Sequence, residues 1–252
     1  MKMKRSEKLG MFTGLVVGVL LLLISVFMIF QTTCKVWGAE KPANATQQGI
    51  DVSSHQGKID WEQVKNSALA DYAIIRCGYG VNQTDKDDKY WDYNSSECER
   101  LGIPYGTYLY SGADTTAKAK SEAEHVVRLL QGKNLTYPIY YDMEADMLNQ
   151  LSSTQIGNIA KTFLNTMESY GYKNVAVYSN KYLFETKLTA SVFSDYPKWI
   201  AQHSNKCTYR GSYHMWQYST QGVIPGISEK VDLNYKIGNW TYAGYSLSLI
   251  HI

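Results

Sequence analysis

From Gly49 to about residue 237 the chain alternates between short runs rich in β-branched and aromatic residues and longer stretches with helical signals. "GIDVS" precedes "DWEQVKNSA", where Asp60 is placed to cap a helix. "YAIIRCGYG" precedes "DKYWDYNSSECERLG", a helix stopped by Gly102, and "IPYGTYLYS" precedes "TTAKAKSEAEHVVRLLQG", closed by Gly132. "YPIYYDME" leads into "SSTQIGNIAKTFLNTMESYG", whose Ile156, Ile159, Ala160, Phe163, Leu164 and Met167 form one apolar stripe. "NVAVYS" is followed by the short helix "KYLFETKL". The last apolar runs, "KWIA", "HMWQYS" and "KVDLN", are separated by loops too short for full helices. Eight strands with helices after only the first five predict an α/β fold with a parallel sheet closed into a TIM-like barrel, (β/α)5(β)3. A doubly wound open sheet is the alternative, but "GIDVSSHQG" lacks the G-x-G-x-x-G loop such a sheet would carry after its first strand.

The fourth run, "YYDMEAD", begins apolar and ends in Asp142, Glu144 and Asp146. Strand periodicity points Asp142 and Glu144 the same way, together with Tyr140. Two other runs also end in acids, "GID" at Asp51 and "KVD" at Asp232. In a barrel enzyme the C-terminal rim carries the chemistry. Carboxylates gathered there repel one another and raise at least one pKa, and a protonated acid beside ionised ones is what glycoside hydrolysis requires. A single aspartate after a strand is more often a helix cap or a loop acid. Three strand ends together call for more than that. A Ca²⁺ or Mg²⁺ site is a second reading of the cluster, weakened by the absence of a D-x-[DN]-x-[DN]-G loop. The five histidines show no metal-ligand spacing, which disfavours a metal-dependent deacetylase, and no cofactor is implied.

Composition narrows the partners. With 25 basic and 23 acidic residues the net charge is +2, so no nucleic-acid footprint is indicated. The 21 tyrosines suit a surface that is apolar on one side and wet on the other, as in sugar binding, although a tyrosine-rich core is the plainer alternative. Residues 1–10 form a basic flank, and 11–30, "MFTGLVVGVLLLLISVFMIF", carry no charge. About 20 apolar residues span a bilayer, with the basic side in the cytoplasm and the rest outside. The run is either an uncleaved single-pass anchor or the core of a signal peptide cut near "VWGAE", which would release a secreted domain. Its length and the position of Trp37 favour the anchor. Residues 31–48 read as a polar linker, 49–240 as the barrel and 241–252 as a tail whose last six residues, "LSLIHI", match the translation of a sequencing adaptor. No C-x-x-C pair occurs among Cys34, Cys77, Cys98 and Cys207; their disulfide state is left open, with Cys77 and Cys98 expected as small buried residues.

The ordered set "GIDVSSHQGKIDW", "IIRCGYG", "GIPYGTYLYS", "PIYYDMEAD", "VYSN", "KWIA" and "MWQYS…VDLN" resembles the family 25 glycoside hydrolases, the Chalaropsis-type lysozymes, over residues 49 to 237. The resemblance implies an N-acetylmuramidase that cuts the β-1,4 bond between N-acetylmuramic acid and N-acetylglucosamine of peptidoglycan strands, acting as a monomer. Glu144 corresponds to the general acid and Asp142 to the partner stabilising an oxocarbenium or oxazolinium. Asp51 and Asp232 match the flanking acids. Tyr79, Tyr108, Tyr178, Trp199 and Trp216 are candidate sugar-stacking positions, each with a core role as the alternative. His55 and Gln56 are candidates to orient Asp51. The spacing of Asp142 and Glu144, about 6.5–7 Å between Cα atoms, is compatible with both retaining and inverting chemistry; the resemblance implies substrate-assisted retention. A wall-binding protein without catalysis and a chitinase-like hydrolase are the competing functions on this fold.

Overall fold

Strand β1 (Ala45–Val52) opens a closed barrel in which each of β2 (Tyr72–Tyr79), β3 (Tyr105–Tyr110), β4 (Ile139–Asp142), β5 (Val175–Asn180), β6 (Lys198–Ala201) and β7 (Met215–Gly222) lies parallel to its predecessor. The computed structural model describes residues 39–239. The basic flank, the uncharged run at 11–30, Cys34 and the rest of 31–38, and the tail from residue 240 lie outside the described residues. Among the described residues no helix is long and apolar enough to cross a membrane. Four residues read as linker, 45–48, belong to β1, where they extend its antiparallel pairing with the last strand.

Strand β8 (Val231–Ile237) departs from the all-parallel expectation, running antiparallel to both β7 and β1. The reason is connection length: residues 223–230 are too few for a crossover and long enough for a hairpin. Asp232 is therefore near the start of its strand rather than at its end, and the reversed direction brings it to the same rim as Asp51, its ladder partner.

The helices α1 (Trp61–Ser67), α2 (Trp91–Leu101), α3 (Thr116–Leu129), α4 (Ser153–Ser169), α5 (Lys181–Thr186) and α6 (Val192–Asp195) pack outside the sheet. Five connections are helical, and the single turn α6 shares the last with α5. Local chemistry explains their limits. Ser152 and Gln155 form a reciprocal capping box at the start of α4, and the whole predicted stripe from Ile156 to Met167 is buried. Gly102, at φ 66°, ends α2 in the left-handed region.

Period-two alternation divides the core. Outward residues such as Tyr141, stacked on Phe163 of α4 at 3.8 Å between ring centroids, pack under the helices. Inward residues Tyr72, Ile74, Tyr140, Ala176, Trp199 and Met215 fill the barrel, with Tyr137 stacked on Tyr72 at 4.4 Å. Cys77 and Cys98 are buried free thiols, and Cys207 is a partly buried one. Behind the rim, His125 of α3 places Nδ1 at 3.0 Å from the Gly80 carbonyl and Nε2 at 2.8 Å from Asp87 Oδ1, tying the end of β2 to the loop after it. Only a glycine admits this ring, because a Cβ on Gly78 would lie 2.8 Å from the imidazole.

Candidate active site

The inward phase of the strands delivers the predicted acids to one place. Asp51 leaves β1, Asp142 ends β4 and Asp232 begins β8, with Glu144 two residues beyond Asp142 on the following loop. A cavity of about 70 Å³ at the C-terminal rim is lined by these four acids together with Tyr108, Tyr178, Trp199 and Gln217. Trp199 forms its floor, packed on Tyr178 at 4.4 Å, Tyr140 at 4.9 Å and Tyr108 at 6.3 Å. A larger groove, about 600 Å³, runs between α4 and the β5–β6 connection beside the N-terminal ends of those strands, and contains none of the acids.

Each acid is held differently. Asp51 accepts hydrogen bonds from Asn234 Nδ2 at 2.7 Å and from Gln217 Nε2 at 3.0 and 3.2 Å. Asn234 is fixed in turn by the Trp199 indole at 2.8 Å. Burial, then the Asp232 charge, pushes the Asp51 carboxyl well up, against the pull of both amides. Asp232 is pushed up to about 6, chiefly by burial; its hydrogen bond with Asp51 opposes this and Glu144 adds to it. Asp142 is buried, and its Oδ1 has no hydrogen-bond partner among the described residues. Burial, then Glu144, raises it well above the ordinary carboxylate range, and Arg76 draws it back. Arg76 points inward from β2 and is clamped by Asp88 and Ser54, both at 2.8 Å. Glu144, half-buried, is raised by burial, with the Tyr178 hydroxyl pulling the other way and the Asp51 charge adding to the rise. Donors occupying the Asp51 oxygens also point where a cation's ligands would have to be free, and among the described residues no cluster of three or more His, Cys, Asp or Glu is arranged to hold a metal.

Four predicted contacts are absent among the described residues. Trp216 is fully buried on the outer face of β7, packed on Tyr218 and Tyr235, its indole donating to the Gln202 carbonyl. Strand alternation gives the cavity Met215 and Gln217 instead. Tyr79 stands at the exposed end of β2 beneath the Lys86 ammonium, 5.0 Å from its ring centre, outside the cavity lining. His55 is exposed, and Gln56 closes a capping box with Ser53, so the partners of Asp51 are Gln217 and Asn234. Gln217, which lines the cavity, and Asn234, Arg76 and His203, which stand behind its lining residues, are not singled out by the sequence pattern. The period-two pattern of "VDLN" puts Asn234 on the same face as Asp232.

The family model for glycosyl hydrolases family 25 matches residues 50–227. The chain belongs to this family. The autolytic lysozyme of Clostridium acetobutylicum is 30% identical over 188 residues, covering 74% of this chain and 55% of that protein. The modular autolysin LytC of Streptococcus pneumoniae, solved with a synthetic peptidoglycan ligand, is 33% identical with a TM-score of 0.68, over 75% of this chain and 46% of that one. A family 25 glycosyl hydrolase of Bacillus anthracis shares the fold at a TM-score of 0.69 and 21% identity, over 81% of this chain and 94% of that one. The chain thus spans about half the length of the first two relatives.

Two expected results follow for the family 25 barrel. Trp216→Ala should destabilise it by about 3–5 kcal/mol, the cost of emptying a buried indole site. Urea unfolding would show this, while the folded variant keeps the wild-type KM. A changed KM with an unchanged urea midpoint would return Trp216 to the cavity. Asp232→Asn should act in the opposite direction. The folded carboxyl titrates near 6 and an unfolded one near 3.8, so the folded state binds the proton more tightly. Native stability is then lost as pH rises from 3.8 through 6, and the asparagine variant escapes that loss. Thermal melts should show a gain on the order of 2 kcal/mol above pH 6.5, vanishing below pH 4.

Proposed function

We propose that this barrel is a muramidase that hydrolyses the β-1,4 bond between N-acetylmuramic acid and N-acetylglucosamine in peptidoglycan. The observation that carries the reading is the buried, unpartnered Asp142 Oδ1 beside a half-buried Glu144 in a carboxylate-lined cavity. An acetamido N–H of the sugar would donate to that oxygen and stabilise ionised Asp142. The proton the two carboxyls share then resides on Glu144. Glu144 donates it to the leaving glycosidic oxygen as the anomeric C–O bond breaks. The acetamido oxygen closes on the anomeric carbon to give an oxazolinium. Water then opens this intermediate and returns a proton to Glu144, with retention. Asp51, Asp142 and Asp232 supply negative potential where positive charge develops.

The names of the relatives, an autolytic lysozyme and an autolysin solved with a peptidoglycan ligand, support the substrate. The uncharged run at 11–30 supports a single-pass anchor with the barrel outside the cell, working on nearby wall for remodelling or lysis. The test is digestion of purified Gram-positive peptidoglycan by the full chain in detergent, with borohydride reduction to identify the new ends. Reduced muramic acid is the expected product. Reduced glucosamine would assign the chitinase-like specificity, and soluble fragments absent despite glycan binding would leave only a wall-binding role.

A further inference from the structure

Gln217 touches more of the acid cluster than any catalytic candidate does, and the mechanism above gives it no task. Its Nε2 lies 3.0 and 3.2 Å from the two Asp51 oxygens and 3.4 Å from Asp232 Oδ2. Its Oε1 accepts from the Tyr178 hydroxyl at 3.0 Å and lies 3.0 Å from Nε2 of His203, in the loop after β6. An amide has one acceptor end and one donor end. The Tyr178 hydroxyl donates to the acceptor end, and the His203 tautomer with its proton on Nε2 adds a second donor there, which aims the donor end at the Asp51–Asp232 pair. Turning the amide over would set oxygen against carboxylate on one side and leave two donors facing an NH₂ on the other.

We propose that Gln217 is a positioning residue that keeps negative charge on Asp51, and that His203 orients Gln217 for this role. Burial works to keep Asp51 protonated, and among the described residues the amide donors to its oxygens are Gln217 and Asn234, beside its hydrogen bond with Asp232. The other charged or titratable groups near the pair are Asp142 from β4, Glu144 from the loop after it, Arg76 from β2, Tyr72 below, and Tyr108 and Tyr178 at the sides. Of these, Arg76 is spent on Asp88 and Ser54. A charged Asp51 matters because it is one of the groups that raise Glu144 and so keep the general acid protonated. His203 also acts on Glu144 directly, its charge lowering the carboxyl, so its effect through Gln217 is read at Asp51.

The inference rests on the hydrolase reading, so its first test needs no activity. Carboxyl ¹³C titration by NMR on the full chain would follow Asp51 in wild type, Gln217→Met and His203→Phe. Gln217→Met should move the Asp51 midpoint to higher pH. His203→Phe, a loop change that leaves the core intact, should move it in the same direction by less, and His203→Gln, which keeps an N–H donor, should restore it. In turnover of peptidoglycan, Gln217→Met should lower kcat about tenfold at pH 7, the loss of one hydrogen bond to a charged group, with KM unchanged. The alkaline limb of its pH profile should also move to lower pH. An Asp51 midpoint unchanged in Gln217→Met overturns the proposal, and one unchanged in His203→Phe removes His203 from it. Wild type without turnover but with a shifted Asp51 midpoint would instead count against the muramidase reading.

Discussion

Glu144→Gln should lower kcat on peptidoglycan by about 10³-fold while binding of the glycan persists. The amide matches the carboxyl in shape and still faces Tyr178, but it carries no proton to give the leaving sugar. Positioned general acids contribute about 10²–10⁴-fold, and the departing alkoxide of a sugar hydroxyl needs that help at neutral pH. The variant should fold at least as well as the wild type, since it removes one member of a repelling, half-buried carboxylate group. Release of reducing ends and sedimentation with insoluble wall would separate the two effects. Residual hydrolysis within tenfold of wild type would move the acid to another residue, and loss of wall binding as well would mean that Glu144 holds the substrate.

Asp142→Asn should cost about 10²–10³-fold in kcat, comparable to removing one preorganised electrostatic contact from a transition state. In this case the pH profile carries the argument. The Glu144 charge opposes ionisation of Asp142, and repulsion between two carboxylates acts reciprocally. With Asp142 neutral, Glu144 loses its proton more easily, so the alkaline limb of the residual activity should shift to lower pH. The unpartnered Oδ1 adds a second signature. A substrate whose acetamido group is replaced by hydroxyl has no N–H to donate, so it should be cut slowly by both proteins. An unmoved alkaline limb would break the link between the two carboxyls.

Much of this site was legible because charge is conspicuous at the end of an apolar run. Asp51 and Asp142 end apolar runs in the sequence, and both line the cavity as the last inward residues of their strands. Asp232 was found in the right place through the wrong geometry: a short loop reverses β8, so an acid at the start of a strand reaches the same rim. Trp216 shows where local pattern stops. "HMWQYS" alternates cleanly, but its phase is decided by the registers Met215↔Lys236 and Gln217↔Asn234, which depend on a partner strand. Choosing the conspicuous aromatic chose the wrong face and hid Gln217. Asn234 and Gln217 also carry no charge, so nothing in their type separates them from ordinary strand polars. Gln56 was misjudged for a different cause, because Ser53 and Gln56 already have the S-x-x-Q spacing of a capping box.

The reversed last strand also sets a timetable for the molecule. Residues Ala45 and Ile237 face each other in the ladder that closes the barrel, a pairing across almost the whole described chain. Loop closure over such a separation is slow, and nothing rewards it until the intervening strands have formed. During synthesis the chain can stack β1 to β7 in order, yet Asp51 lacks both Asp232 and Asn234 until β8 emerges and zips between β7 and β1. The carboxylate cluster is thus complete only with β8 in place, and a barrel that stops before β8 lacks Asp232 and Asn234 beside Asp51.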